Sequence, residues 1–399
     1  MQLRGSEPRP GLPSARTRYA HQVARCASTA LKNGDRGPDA VHGCLTRERR
    51  LFRRGAFLFT LLLGGCPAAA AGGPDAFAFF RPSVVLSAED RRQLARGEPV
   101  ARIVPSSGRE IAIFAAVPVD IDGDRLVAWI RRIGALKKSA YVLSIGRFSD
   151  PPRLEDLVDL SLDDSELSEL RACRPDDCDL KLAPADITKV QEAVAAAGSA
   201  WKVTLQEVFR LVIMRHVSEY LAEGQKALPP YGPHAADAAP GSLFAALLAH
   251  SPFLVERTPR FAAHLRGFPQ TAEPSVESFI YWSKERLAGK AIVSVTHVSI
   301  LRSTDRDLPD ALTAGKLVFA SHYLDASLGL TAVLRGEPGN SNYLAYLNRS
   351  EVDLLDSPFG GLIRWLMQRR LKSEAADILM GLRQRLESGT PPPERSVSR

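Results

Sequence analysis

The run "GKLVFASHYLDASLGLTAVL", residues 315–334, sets His322, Tyr323 and Asp325 inside an otherwise apolar stretch, and "AIVSVTHVSILR" brings His297 shortly before it. Imidazole, phenol and carboxylate are the groups of general acid–base work, and two imidazoles on adjoining strands would begin a metal site. Spacing argues against both. In one extended strand side chains alternate, so His322 shares a face with Leu324 while Tyr323 and Asp325 point the other way. If "VSVTHVSIL" pairs antiparallel with this run through a link at 303–314, His297 arrives near Ser321 or His322, yet a slip of one residue separates their faces and no third ligand is readable. The expectation is no catalytic set, no metal and no cofactor, with both histidines hydrogen-bonded at the sheet surface or in the wall of a cavity.

Other signals are structural on the same reasoning. "IDGDR", residues 121–125, lacks the rest of a calcium loop and reads as a turn and helix cap. "YWSKE", Tyr281 to Glu285, joins two aromatics to a charged pair and reads first as core packing. There is no nucleophile elbow, P-loop, zincin helix or dinucleotide-binding glycine pattern, and no internal repeat. Cys173 and Cys178 in "RACRPDDCDLKL" are the two cysteines outside the N-terminal 66 residues, and a structural disulfide worth roughly 2 kcal/mol by loop entropy is expected between them.

The elements that must position these residues fall into three parts. "GEPVARIVPSSGREIAIFAAVPVD" has two β-branched runs around a turn and reads as a hairpin or long bent strand over 98–119. "DGDRLVAWIRRIGALKK" follows with helical spacing, then "SAYVLSIGRF" as a strand. A helical block occupies about 153–268: Asp163 or Asp164 caps one helix, Pro184 opens the next, Thr204 with Glu207 forms a capping box, and Ser242 and Thr258 cap the last two. From Glu277 strands resume and, with no room for crossover helices, pair as an antiparallel meander ending in "NYLAYLNRSEVDLL". "SPFGGLIRWLMQRRLKSEAADILMGLRQRLES" closes the chain as an amphipathic helix about 40 Å long. The fold class is α+β, with a curved antiparallel sheet on a long C-terminal helix and an inserted helical block.

Charge and leader concern compartment and partners. The 399 residues carry a net charge of +7, but residues 1–65 hold 12 basic and 4 acidic side chains, leaving 40 and 41 for the remainder. A neutral folded part lacks the phosphate-neutralising footprint of a nucleic-acid binder, so no nucleic acid is expected. "RERRLFRR", the apolar Gly55–Gly65 and the alanine run after it read as an export signal, too short for a membrane span. Residues 1–72 are expected to be a disordered prefix plus signal, 84–388 the domain, and 389–399 a disordered tail. Export to the periplasm or cell envelope of a bacterium follows. Cleavage within Ala68–Gly73 is favoured over lipidation at Cys66, because Pro67 after the cysteine is unusual for a lipobox.

In its order of elements, from "GEPVARIVPSSGREIAIFAAVPVD" and "DRLVAWIRRI" to "NYLAYLNRSEVDLL" and the last helix, the chain resembles the START/SRPBCC (helix-grip, Bet v 1-like) superfamily over residues 97–150 and 276–388. The resemblance implies a curved sheet gripping the last helix around an apolar cavity for lipids, sterols or aromatic ligands, with the block at 153–268 as an insertion. Under it the expected lining is His297, His322, Tyr346, Leu362 and Leu366, and the partner a hydrophobic small molecule or lipid. Two other readings stand beside this one. One is an envelope interaction protein using the helical block as its contact surface. The other is a cavity enzyme with His297, His322, Tyr323 or Asp325. The basic last helix also suits peripheral membrane contact.

Overall fold

Eight runs rich in β-branched and apolar residues form one antiparallel sheet in the computed structural model, which describes residues 75–175, 177–228, 239–287, 289–337, 339–391 and 393. The strands are β1 (Val100–Val104), β2 (Glu110–Val119), β3 (Val142–Arg147), β4 (Glu277–Leu287), β5 (Lys290–Arg302), β6 (Ala311–Ala320), β7 (Leu324–Leu334) and β8 (Asn342–Val352). Their order in space is β1-β2-β8-β7-β6-β5-β4-β3. The meander β4 to β8 is the middle of the sheet, because short links favour antiparallel neighbours. The β1-β2 hairpin adds to one edge and β3 to the other. The expected prefix and export signal lie outside the described residues.

The helices are α1 (Ala88–Ala95), α2 (Gly123–Ile130), α3 (Ile133–Leu136), α4 (Asp164–Ala172), α5 (Pro184–Ala197), α6 (Trp201–Glu223), α7 (Pro240–Ala249), α8 (Pro252–Arg257), α9 (Pro259–Gly267) and α10 (Gly360–Ser388). Asp122 caps α2, and Asp163 with Glu166 forms a reciprocal capping box on α4. Pro184 opens α5. Thr204 is not a cap: a short 3-10 turn at Gly198–Ala200 runs straight into α6, whose helix starts at Trp201, and the Thr204 hydroxyl donates back to the Ala200 carbonyl. Nor do Ser242 and Thr258 cap by side chain, since α7 begins at Pro240 and the Thr258 hydroxyl donates to Leu254 of the preceding helix. Gly224 ends α6 with φ of 72°, and a Cβ there would strike the Phe268 carbonyl, so only glycine serves.

Period-two alternation gives the sheet two different faces. One takes the helices inserted between β3 and β4, which pair directly with each other, so the whole block is an excursion from the sheet. Against that face Trp282, Val293, Val295 and Phe319 pack with Phe209, Ile213 and Tyr220 of α6. Beside them Phe114, Leu312, Leu328 and Leu330 pack with Phe244 and Phe253. Phe77, Phe79 and Phe80, ahead of the expected domain start at 84, belong to this same core. The other face meets α2 and α10: Trp129, Leu126, Leu379 and Leu386 cover Val117, Val298, Ile300 and Leu344.

The run at 315–334 is not one strand. It breaks at Ser321–Tyr323, where Tyr323 has φ of 63°, and folds back as β6 against β7. The link from β5 is also shorter than the expected 303–314, because β6 already begins at Ala311, and His297 therefore pairs with Lys316, not with Ser321 or His322.

Leu386 is completely buried whereas Leu362 on the same helix is exposed. Leu386→Ala is expected to lower the unfolding free energy by about 2–5 kcal/mol and Leu362→Ala by less than about 0.5 kcal/mol, read from urea unfolding curves.

Candidate functional site: a groove on the inner face of the sheet

The two faces of the middle strands differ in how completely they are sealed. On β6 the residues turned to the inserted helices, Leu312, Ala314, Lys316 and Val318, are buried, while Gly315 and Leu317 between them are half-buried. On β7 the buried Ala326, Leu328 and Leu330 alternate with half-buried Ser327, Gly329 and Thr331, and on β5 buried Val293, Val295 and His297 alternate with half-buried Ser294 and Thr296. The face turned to α10 is therefore only partly covered at its centre. Its floor is small: Gly315 and Gly329 stand opposite each other in the ladder, and Asn348 of β8 pairs with Gly329. Strands spaced about 4.8 Å apart make this floor roughly 19 Å wide from β8 to β4.

Walls rise on three sides. α2 seals one end over Ile300, Ala311 and Val333. Along one flank Ile363, Met367 and Leu371 of α10 pack on Ile111, Val352 and Leu355. Along the other stands a polar group built by alternation on β4, which splits the "YWSKE" box between faces. Trp282 and Lys284 go to the inserted helices, where the indole N–H donates to the Asp156 carbonyl at 2.8 Å and the Lys284 ammonium meets Glu166 at 2.5 Å. Tyr281, Ser283 and Glu285 go to the groove.

There the Lys137 ammonium meets the Glu285 carboxylate at 2.5 Å and the Tyr281 hydroxyl at 3.3 Å. The Ser283 hydroxyl donates to Glu285 at 2.6 Å and lies 3.2 Å from that of Ser294. Burial alone would lower the Lys137 pKa, but Tyr281 and Glu285 outweigh it and hold the ammonium well above the ordinary lysine value. Burial likewise opposes ionisation of Glu285, and Lys137 with Ser283 overcomes it, leaving the carboxyl below its usual range. Burial pushes the Tyr346 hydroxyl, which shares the field of Lys137, Tyr281 and Glu285, up to about 12. These three perturbed groups are thus a fixed cation, a fixed anion and a phenol that stays protonated. They can recognise polar atoms, but none is poised near neutrality for proton transfer.

A second polar cluster lies on the sealed face. The Tyr220 hydroxyl is 2.9 Å from His297 Nδ1, and burial holds that phenol protonated. His264 Nδ1 accepts the Glu273 backbone N–H at 3.1 Å, so its Nε2 carries the proton and donates to Ser299 Oγ at 3.1 Å. The Lys316 ammonium donates to the Leu265 carbonyl at 3.2 Å and lies over the rings of Tyr220 and Phe244. Burial lowers Lys316 to about 7 and, with the neighbouring charges of Lys316 and His264, lowers His297 to about 3. His297, Lys316 and Ser299 are each no more than 2% exposed, so this cluster ties helices to sheet and has no path for a substrate.

Of the residues expected to line a cavity, Tyr346 lies on the groove side, packed at the edge of the α2–α10 core. His297 lies on the opposite face. His322 sits in the β6–β7 turn, with Nδ1 2.9 Å from Ser321 Oγ and Nε2 3.6 Å from Glu169. Leu366 is half-buried and Leu362 faces solvent. Asp325 is held by Lys181 and by Arg109, away from His297. Cys173 and Cys178 form a disulfide. Sequence reasoning missed Lys137, Gly315, Gly329, Lys316 and Tyr220; the Tyr-x-Ser-x-Glu alternation at 281–285 was the one available signal for the polar wall. Among the described residues no group of three or more His, Cys, Asp or Glu is arranged for a metal ion.

His297 stays neutral in the fold down to about pH 3, whereas unfolded it binds a proton near pH 6.5. Its contribution to stability is complete above about pH 6.5 and is lost as pH falls towards 3. His297→Gln should therefore show a shallower fall in urea midpoint between about pH 7 and pH 4 than the parent; equal slopes would contradict a neutral, buried His297.

No family model matches the chain, and no curated protein matches it. Among solved structures it is similar to the crystal structure of TTHA0849 from Thermus thermophilus, at 16% identity and a TM-score of 0.21, over 37% of this chain and 88% of that one.

Proposed function

We propose that this is an exported carrier protein that holds a hydrophobic small molecule or lipid in the groove between the sheet and α10. One observation carries the reading. The same strands that are sealed on one side by bulky residues present glycine and hydroxyl side chains on the other, where these residues are only half-buried. A sheet face meant only for the core would be filled to close packing, and one meant only for water would carry charged and long polar side chains. The centre of this face, around Gly315, Gly329, Ser294, Thr296 and Ser327, has neither. Its apolar flank, Ile363, Met367 and Leu371, suits a hydrocarbon body, and the Lys137–Tyr281–Tyr346 side suits a polar end. The arrangement of hairpin, crossing helix, meander and terminal helix supports a helix-grip reading in which the helices at 164–267 are an insertion. The Cys173–Cys178 disulfide is compatible with an oxidising compartment. A contact role for the inserted block finds support in the exposed Val158, Val203 and Leu211, and would show as a partner retained by the parent and lost on changing these to serine.

Gly329 offers the direct test. A Cβ there meets Asn348 Nδ2 at 3.5 Å and the Tyr346 hydroxyl at 3.8 Å, ordinary contact distances, so a side chain fits the strand and projects into the groove. Gly329→Leu is expected to weaken binding of a fluorescent fatty acid by at least about tenfold, the scale of a misplaced group in an apolar pocket, with little change in the unfolding midpoint. Native mass spectrometry of the parent should show copurified lipid that the variant lacks. Equal lipid content and equal affinity in the two proteins would remove the basis for a carrier.

A further inference from the structure

The helix α10 carries two apolar stripes, and only one of them is used by the fold. Ile363, Met367, Leu371, Leu379 and Leu386 face the sheet. On the other side Leu362 and Trp365, spaced at one helical turn, are 45% and 53% exposed, and Met380 farther along is 39% exposed. From Ser357 to Ser373 the sequence holds four basic residues, Arg364, Arg369, Arg370 and Lys372, and no acidic one. Of the carboxylates that bound this run, Asp356 lies 3.9 Å from Arg109 and Glu374 pairs with Arg370 at 2.6 Å, so the exposed charges beside the stripe are those of Arg369 and Lys372. Arg364 donates to the Gly108 and Glu110 carbonyls and Arg370 to Glu374, while the Arg369 guanidinium lies 5.6 Å from the centre of the Trp365 ring. Arg369 and Lys372 are exposed beside the stripe.

We propose that this outer stripe docks the protein on an anionic phospholipid surface, with Leu362 and Trp365 entering the headgroup region and Arg369 and Lys372 meeting lipid phosphates. The chemistry fits at each point. An interfacial helix needs aliphatic and indole groups flanked by cations, and indole settles at the boundary between hydrocarbon and headgroup. Each basic residue near such a surface adds about fivefold to binding. A second copy of this chain is a poor occupant, because an isologous contact would set the same cations against one another. The proposal stands apart from any ligand in the groove, since it uses the opposite side of the helix.

The test uses the full chain with vesicles of phosphatidylcholine alone and of phosphatidylcholine mixed with phosphatidylglycerol, with and without brominated acyl chains. Because the apolar segment at 55–65 could itself enter a bilayer, the readout is local to Trp365. The expected result is quenching of tryptophan fluorescence by brominated lipid in the anionic vesicles, weakened by salt, abolished in Trp365→Phe and retained in Trp201→Phe. Leu362→Ser should lower partitioning, and Arg369→Glu with Lys372→Glu should remove the preference for phosphatidylglycerol. Quenching that survives Trp365→Phe, partitioning unchanged by Leu362→Ser, or a Trp365 signal that instead follows self-association in lipid-free buffer would each overturn the proposal.

Discussion

Everything in this fold depends on covering one face of a five-strand meander. The strands β4 to β8 turn a largely apolar layer, interrupted by His297, Ser299, Lys316 and Lys284, towards the inserted helices, and leaving its apolar part in water would cost more than the marginal stability of a domain. Directional contacts fix where the helices land. The Tyr220–His297 and His264–Ser299 hydrogen bonds, the Lys284–Glu166 pair and the Lys181–Asp325 pair each join the insertion to a strand. Such buried polar links add specificity more than net stability, since desolvation offsets much of each attraction. With one face committed in this way, the other is free to differ.

That freedom explains the groove. α10 is anchored by its second half, where Leu379 and Leu386 are buried with Trp129, while its first half leans on the β2–β8 pair through Ile363, Met367 and Leu371. It therefore walls the inner face without covering its centre. α2 closes one end, and the Lys137–Glu285 pair stands on the far side. Glycine at 315 and 329 weakens strands slightly, a cost of under about 1 kcal/mol each, and leaves the floor low. An ion pair with pKa values pushed apart and a tyrosine held neutral give this wall fixed polar groups, in contrast to Lys316 on the sealed face, which burial lowers to about 7.

The fold was largely legible in the residues. Strand runs, the meander, the amphipathic last helix and the α+β class follow from local periodicity, the caps at Asp122 and Asp163 from local hydrogen-bond chemistry, and Pro184 at the start of α5 from its fixed backbone angle. The errors arose where one local pattern had two continuations. The apolar run at 315–334 carries no Gly or Pro at the point where it turns, and Tyr323 enters the left-handed region without a sequence signal, which hides the hairpin; the partner of His297 is hidden separately, because β6 starts at Ala311 within a segment that reads as a link. Thr204 has the residue types of a cap but follows a turn that is already helical.

By itself, then, the chain determined which segments are strands and helices, which two cysteines could pair, and where charge is concentrated, because each is set by neighbours within a few residues. Tertiary structure alone decided which face each residue serves. His297 and Tyr346 both lie on strands of the same meander, yet one is sealed among helices and the other borders the groove. The physical reason is that register and face depend on pairing between segments far apart in sequence, where a shift of one residue exchanges the two sides of a strand. Lys137 could join Glu285 only once the edge of the sheet had brought α3 beside β4, a contact spanning 148 residues.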